Sequence, residues 1–258
     1  MAQISLSFSP EEEALIDQEY QALIADYIAS PHRQKTEIID QAFRLARHAH
    51  GLVRRRSGEP YILHPIAVAR IVCKEIGLGS TSICCALLHD VVEDTEYTVD
   101  DIRRGFGLTK ISTEQVPQNI DSLQAQNIRK LLLTIGDDAR VILIKIADRL
   151  HNMRTLGSMK PDKQLKIAGE TSFFYAPLAD RLGLFSIKTE LEDLSFRYEH
   201  PDAYAEIKRK VEESEAGRED LFHRFAAPLK ARFDSMGLSY EMKTRVKGCF
   251  SIWRKMQI

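Results

Sequence analysis

The sequence is poor in cysteine and tryptophan, carries almost no charge excess and has no long apolar run. Its four cysteines, Cys73, Cys84, Cys85 and Cys249, show neither CxxC spacing nor the density of a disulfide-stapled secreted fold. Cys84 and Cys85 lie in an apolar run and read as reduced core thiols. No stretch of about 18 apolar residues offers a membrane span, and residues 1–10 lack the basic start and apolar core of a secretory leader. A cytoplasmic location is expected. With 36 Lys+Arg against 37 Asp+Glu the formal charge is -1, too balanced for a nucleic-acid coat or a polybasic membrane anchor. Neither nucleic acid nor membrane is expected as a partner, so function must be argued from sites. The hydrophobic share, 44% of 258 residues, is enough for a packed core.

What the chain does have is helical periodicity. Ile38, Ile39, Ala42, Leu45, Ala46 and Ala49 follow the spacing of a helix with one buried face. A basic loop, Arg54-Arg55-Arg56-Ser57-Gly58-Glu59-Pro60, links it to a helix that opens at His64-Pro65 and ends near Gly77-Leu78-Gly79. Ser80 or Thr81 is expected to cap the next helix, which runs through Ile83 to Asp94 and is apolar almost all round. Residues 109–127 turn polar and read as a loop, with a helix resuming over 128–135. Asp138 is placed to cap a segment over 139–155 whose β-branched run, residues 141–146, fits either buried strand or buried helix; the lack of a partner strand favours helix. Helical patterns continue over 161–182, 187–199, 202–213 and 218–236, so the fold class is all-α to residue 236. Beyond Gly237 the alternation over 239–245 suggests a short α/β stub at the C-terminus.

Three separate elements deliver metal-ligand chemistry: His64 at a helix start, the adjacent His89 and Asp90, and Asp148 at the end of an apolar run. Buried imidazoles and carboxylates are costly unless paired or metal-bound, and one shared ion would satisfy all four. Two histidines with two carboxylates suit manganese, iron, zinc or magnesium better than a soft thiolate-seeking metal. Glu93 and Asp94 follow His89 and Asp90 by four residues, one helical turn along the same face. Like charge and partial burial would raise one carboxyl pKa, the condition for proton exchange near neutral pH. Asp148, Asn152 and Thr155 share a face by the same spacing. Taken singly these signals are weak: an isolated His-Asp pair is often a hydrogen-bonded core group, Glu93-Asp94 a solvated helix end, and Arg54 to Arg56 a solvated loop. His48, His50 and His151 are expected to pack or hydrogen-bond structurally.

The joint pattern H…HD…D on an all-α chain resembles the HD-domain metal-dependent phosphohydrolases. Longer words sharpen this. Residues 55–65 (RRSGEPYILHP), 88–95 (LHDVVEDT), 144–156 (IKIADRLHNMRTL) and 175–183 (YAPLADRLG) resemble the hydrolase domain of the Rel/SpoT alarmone enzymes. The resemblance implies an HD-domain helical bundle that removes the 3′-diphosphate of (p)ppGpp as pyrophosphate, with manganese as the ion. Carried over by motif position, it makes His64, His89, Asp90 and Asp148 the ligands and assigns Glu93 with Asp94 the proton of the attacking water. Arg55, Ser57, Asn152 and Thr155 match positions near the nucleotide, while Arg56, Lys145 and Arg149 offer charge against substrate phosphates.

The implied organisation is an N-terminal helical extension (1–35), the hydrolase domain (36–200), connecting helices (201–236) and the truncated start of a synthetase domain (237–258), with that synthetase as partner in cis. Three departures stand out. Arg56 replaces a common lysine, Asp180 replaces a common histidine, and residues 106–111 join two family words that a helical stretch of roughly ten residues usually separates. The competing functions are hydrolysis of another nucleotide and a catalytically silent HD domain that regulates its synthetase neighbour.

Overall fold

The computed structural model describes residues 7–32, 35–98, 101–102, 138–242 and 247–257. The loop expected over 109–127, the helix over 128–135 and the short junction at 106–111 lie outside them. The chain forms two compact units, Met1–Met159 and Lys160–Ile258.

The first unit opens with α1 (Pro10–Ala29), started by a capping box. Ser9 Oγ accepts from the Glu12 amide at 3.2 Å, and the Glu12 carboxylate accepts from the Ser9 amide at 2.9 Å, so two of the otherwise unpaired first-turn donors are satisfied. Ile16, Tyr20, Leu23 and Tyr27 recur every three or four residues and are its buried stripe. Tyr20 stacks on Phe43 of α2 (Thr36–His50) with ring centres 3.8 Å apart, and its hydroxyl donates to Asp40. Ion pairs rim this packing, Arg47 with Glu13 and Asp17, and Arg70 with Glu19 and Asp26. The buried face of α2, Ile39, Ala42, Phe43 and Ala46, follows the sequence periodicity.

Next comes the basic loop, folded back on itself by an isolated Arg54–Pro60 bridge and an Arg55 amide that donates to the Glu59 carbonyl at 2.9 Å. Gly58 turns at φ 93, a conformation that side chains resist. Helix α3 (Leu63–Arg70) starts at the expected His64-Pro65 and runs into a π-helical turn (Ile71–Glu75), ended by Gly77 at φ 81. Helix α4 (Ser80–Leu87) is capped at Gly79, not at Ser80 or Thr81: the chain enters the helix one residue early and no side-chain cap forms.

A larger difference follows. The helix expected to run unbroken to Asp94 stops at Leu87, turns through Leu88-His89-Asp90, and resumes as the four-residue α5 (Val91–Asp94). Leu88 leaves the helical region at φ -106, ψ 4 while its side chain stays fully buried. Hydrophobic periodicity survives the break because burial of Leu87, Leu88 and Val91 continues across it.

The ambiguous run at 141–146 is helical, within α6 (Ala139–Arg154). Asp138 caps it as expected, accepting from the Arg140 amide at 2.9 Å. A helix satisfies its own backbone groups, so β-branched residues can be buried without a partner strand. Ile142, Ile146, Ala147 and Leu150 pack inward with Ile66 and Val68 of α3 and Ile83 and Leu87 of α4 among the fully buried core side chains.

The second unit is helical too: α7 (Pro161–Glu170), a π-turn (Thr171–Tyr175), α8 (Ala176–Arg181), α9 (Phe185–Glu199), α10 (Pro201–Glu213), α11 (Glu215–Ser235) and α12 (Cys249–Met256). Pro161 and Pro201 sit in the first turns of their helices, where the absent N–H costs nothing. Phe196 of α9 is ringed by His200, Tyr204, Phe250 and Trp253. Of the alternation read over 239–245, the described residues 239–242 form no strand; further along the chain lies α12. The Asp193 carboxylate accepts from the Cys249 and Phe250 amides, so the first turn of α12 is satisfied by a side chain of α9.

Candidate metal centre

The break at Leu88–Asp90 has a chemical result. It places His89 and Asp90 at the mouth between α4 and α5, where they meet His64 from the start of α3 and Asp148 from the middle of α6. His64 Nε2 lies 3.2 Å from Asp148 Oδ1 and 3.6 Å from Asp90 Oδ2. His89 Nε2 lies 3.1 Å from Asp90 Oδ2 and 3.8 Å from Asp148 Oδ1. One ligand atom each from His64, His89 and Asp90 falls within 4.8 Å of the others. Asp148 stands beside this cluster, against both histidines, and of the four side chains named from the sequence the histidines are buried and the aspartates partly so.

The surroundings fix what these groups can do. His89 Nδ1 meets the Ala86 carbonyl at 2.7 Å, and a carbonyl can only accept, so this nitrogen is the donor. The proton there leaves the Nε2 of the neutral ring as a lone pair. That Nε2 is buried 3.1 Å from Asp90 Oδ2 and 3.8 Å from Asp148 Oδ1 without a well-aligned hydrogen bond to either. Lone pairs aimed at anions repel unless a cation lies among them, and a divalent ion with N and O ligands meets this requirement. The titration behaviour says the same. Burial works against a charged His89, yet Asp148 and Asp90 overturn it and lift the pKa to about 10. Burial would raise both aspartates, but the facing His64 and His89 imidazoles hold them well below the usual carboxylate range. The pocket calls for positive charge.

A second tier of side chains braces the first. Tyr61 Oη donates towards Asp90 Oδ2 at 2.7 Å and lies 3.0 Å from Asp94 Oδ2, joining the centre to the acidic pair. Burial, then Asp90, push its phenol far up, so it remains a donor. Asn152 Nδ2 donates to Asp148 Oδ1 at 2.7 Å, while its Oδ1 accepts from Arg55 at 2.8 Å. Arg55 Nη1 also lies 3.3 Å from His64 Nδ1 and 3.2 Å from His151 Nδ1. Burial, then His64 and Arg55, push His151 down to about 3, so it is a neutral imidazole near pH 7.

Of the other residues named from sequence, Glu93 and Asp94 are exposed at the rim, and Glu93 lies 3.9 Å from Lys145 Nζ. The Asp94 carboxylate is linked to the centre through Tyr61. Arg56 and Ser57 are exposed on the turn of the basic loop, and Arg149 is half-buried on α6. The Thr155 hydroxyl donates to the His151 carbonyl at 3.0 Å at the end of α6. Tyr61 and His151 were not singled out as site residues by the sequence. A scan for ligand types passes over a phenol, and His151 carries no pattern of its own beyond its place three residues after Asp148. His50, also expected to be structural, is buried with its ring centre 4.7 Å from that of Tyr61.

A family model described as HD domain matches residues 42–185, more than half of the chain. The chain belongs to the HD-domain family. This HD-domain chain is 43% identical over 222 residues to a guanosine-3′,5′-bis(diphosphate) 3′-pyrophosphohydrolase of Haemophilus influenzae, covering 83% of this chain and 33% of that protein. It is 39% identical over 249 residues to the protein of the same name from Aquifex aeolicus, covering 94% of this chain and 35% of the relative. Over 224 residues it is 42% identical to the bifunctional (p)ppGpp synthase/hydrolase SpoT of Escherichia coli K12, covering 84% and 32%. The chain thus spans about a third of the length of the curated relatives it matches. A solved structure described as a metazoan ortholog of SpoT that hydrolyses ppGpp superposes with a TM-score of 0.50 at 23% identity, covering 64% of this chain and 97% of the other. That likeness speaks for the helical HD fold. Among the described residues, no helix is long and apolar enough to cross a membrane.

Proposed function

We propose that the chain is a metal-dependent (p)ppGpp 3′-pyrophosphohydrolase domain that releases pyrophosphate and leaves GDP or GTP. The observation that carries the reading is the buried His89 Nε2, set among Asp90, Asp148 and His64 without a well-aligned hydrogen bond to any of them. His64, His89, Asp90 and Asp148 would hold the ion, and their mixed N/O character suits manganese. When bound, such an ion polarises a phosphoryl oxygen and makes a nearby water more acidic.

The remaining steps belong to the chain's own groups. Water attacks the phosphorus next to the ribose 3′ oxygen, the bond between that oxygen and phosphorus breaks, and the ribose oxygen takes a proton as it leaves. Glu93 and Asp94, at the rim beside Asp90, handle the proton of the attacking water. Tyr61 holds Asp94 beside Asp90, so the proton acceptor is oriented before substrate arrives. Lys145 beside Glu93, with Arg149, supplies cationic charge for the substrate phosphates. Arg55, Arg56, Ser57, Asn152 and Thr155 form the nucleotide-facing side, with Arg55 and Asn152 tied back to Asp148. By analogy with the relative named a bifunctional synthase/hydrolase, a synthetase domain would be the partner in cis, and a nucleotide substrate would suit a cytoplasmic location.

The test is to incubate the manganese-loaded protein with ppGpp, pppGpp and ordinary nucleoside triphosphates and to identify both products of each. GDP with intact pyrophosphate from ppGpp is expected. Turnover confined to another nucleotide would reassign the substrate, and tight ppGpp binding without turnover under several metals would favour a regulatory HD domain.

A further inference from the structure

His64 and His151 meet through their Nδ1 atoms at 2.7 Å, and Arg55 Nη1 lies 3.3 Å from the first and 3.2 Å from the second. Two bare nitrogens at that distance would oppose lone pairs, and two protonated ones would clash. One proton therefore lies between them. Arg55 has only donors, so it cannot receive that proton.

Two arrangements remain for neutral rings. In the first, His151 Nδ1–H donates to His64, whose own proton then sits on Nε2 and points at Asp148, 3.2 Å away. In the second, His64 Nδ1–H donates to His151, which also accepts from Arg55, and His64 Nε2 is bare towards Asp148 and Asp90. Only the second is a metal ligand. The Ala86 carbonyl settles the same choice for His89 permanently, because it can only accept. For His64 the choice passes to another side chain.

We propose that His151 is a positioning residue of the metal centre, accepting the Nδ1–H of His64 and so holding His64 in its metal-binding tautomer. Arg55 supports this by donating to the same His151 nitrogen. The geometry of α6 makes it possible: Asp148, His151 and Asn152 lie on one helix face at spacings of three and four residues, so one element presents a ligand and backs another. Carboxylates alone favour a proton on His64 Nε2, whereas a cation favours the bare nitrogen. The His64–His151 hydrogen bond offsets the pull of the carboxylates, and Arg55 contacts both rings.

This inference rests on the metal reading above, and its test separates the two. Manganese binding to the full chain is measured by calorimetry for the wild type, His151→Leu and His151→Asn, with circular dichroism as the folding check. The Leu variant, without an acceptor, should bind about 10- to 100-fold more weakly. The Asn variant, whose side-chain oxygen accepts, should recover most of that loss. Imidazole 15N shifts of the wild type loaded with diamagnetic zinc should show His64 protonated at Nδ1, a reading that needs no variant to fold. Wild-type affinity in a folded Leu variant, an Asn variant no better than Leu, or His64 protonated at Nε2 in the zinc form would each overturn the proposal while leaving the metal reading intact. A wild type that binds no metal would overturn both.

Discussion

Asn152 donates to Asp148 from exactly one helical turn further along α6, at 2.7 Å, and turns its amide oxygen to Arg55 at 2.8 Å. The amide converts an anionic ligand and a cationic loop residue into one hydrogen-bonded line. Replacing Asn152 with Ala should leave Asp148 and Arg55 unlinked, weakening metal binding by about tenfold and raising KM for the nucleotide. Calorimetry and steady-state kinetics check both effects, and unchanged metal affinity with unchanged KM would remove Asn152 from the centre.

Tyr61 has one phenolic proton and two carboxylates within reach. Tyr61→Phe keeps the ring against His50 but frees Asp94 from Asp90. The variant should fold normally, retain the ion and lose roughly tenfold or more in kcat, with KM little changed. A loss seen only in KM would mean that Tyr61 serves binding instead.

Glu93 and Asp94 are separable from metal binding because both are exposed at the rim, whereas His64, His89, Asp90 and Asp148 face one another. Changing them together to Gln and Asn should preserve ion and nucleotide binding while lowering turnover by about 10² or more. Near-normal turnover would reduce the pair to a solvated helix end.

Glu12 offers a pH test away from the site. Its carboxyl is held at about 2, first by Arg54 and then by the Ser9 amide, against an ordinary 4.5. A depressed folded-state pKa contributes stability that is full above 4.5 and disappears as pH falls through about 2. Glu12→Gln should therefore melt below the wild type at neutral pH and converge with it near the acid end, by a small margin because the pair is exposed. A constant difference across that range would contradict the assignment.

The candidate ligands were legible because His64, His89, Asp90 and Asp148 are costly to bury, and their elements read as apolar from composition alone. The helix of α6 was legible for a different reason: no strand nearby could pair with residues 141–146. The turn at Leu88–Asp90 was not legible, since Leu87, Leu88 and Val91 keep an apolar pattern through the break. Yet that turn is what brings His89 and Asp90 to His64. Tyr61 and His151 escaped because their roles lie in contacts across 29 to 87 positions, Tyr61 to Asp90 and His64 to His151, which leave no periodic trace. The alternation read over 239–245 gives no strand in its described part, 239–242, where alternation alone names no partner to pair with.

The central claim is that one ion held by His64, His89, Asp90 and Asp148 carries the hydrolysis. The most direct measurement titrates manganese into chelator-stripped protein while following bound metal and pyrophosphate release from ppGpp in the same samples, with Asp148→Ala alongside. The account predicts that release rises in step with occupancy in the wild type, and that the variant neither binds the ion nor releases pyrophosphate. Full release from stripped protein, or an Asp148→Ala variant with undiminished metal and turnover, would contradict it.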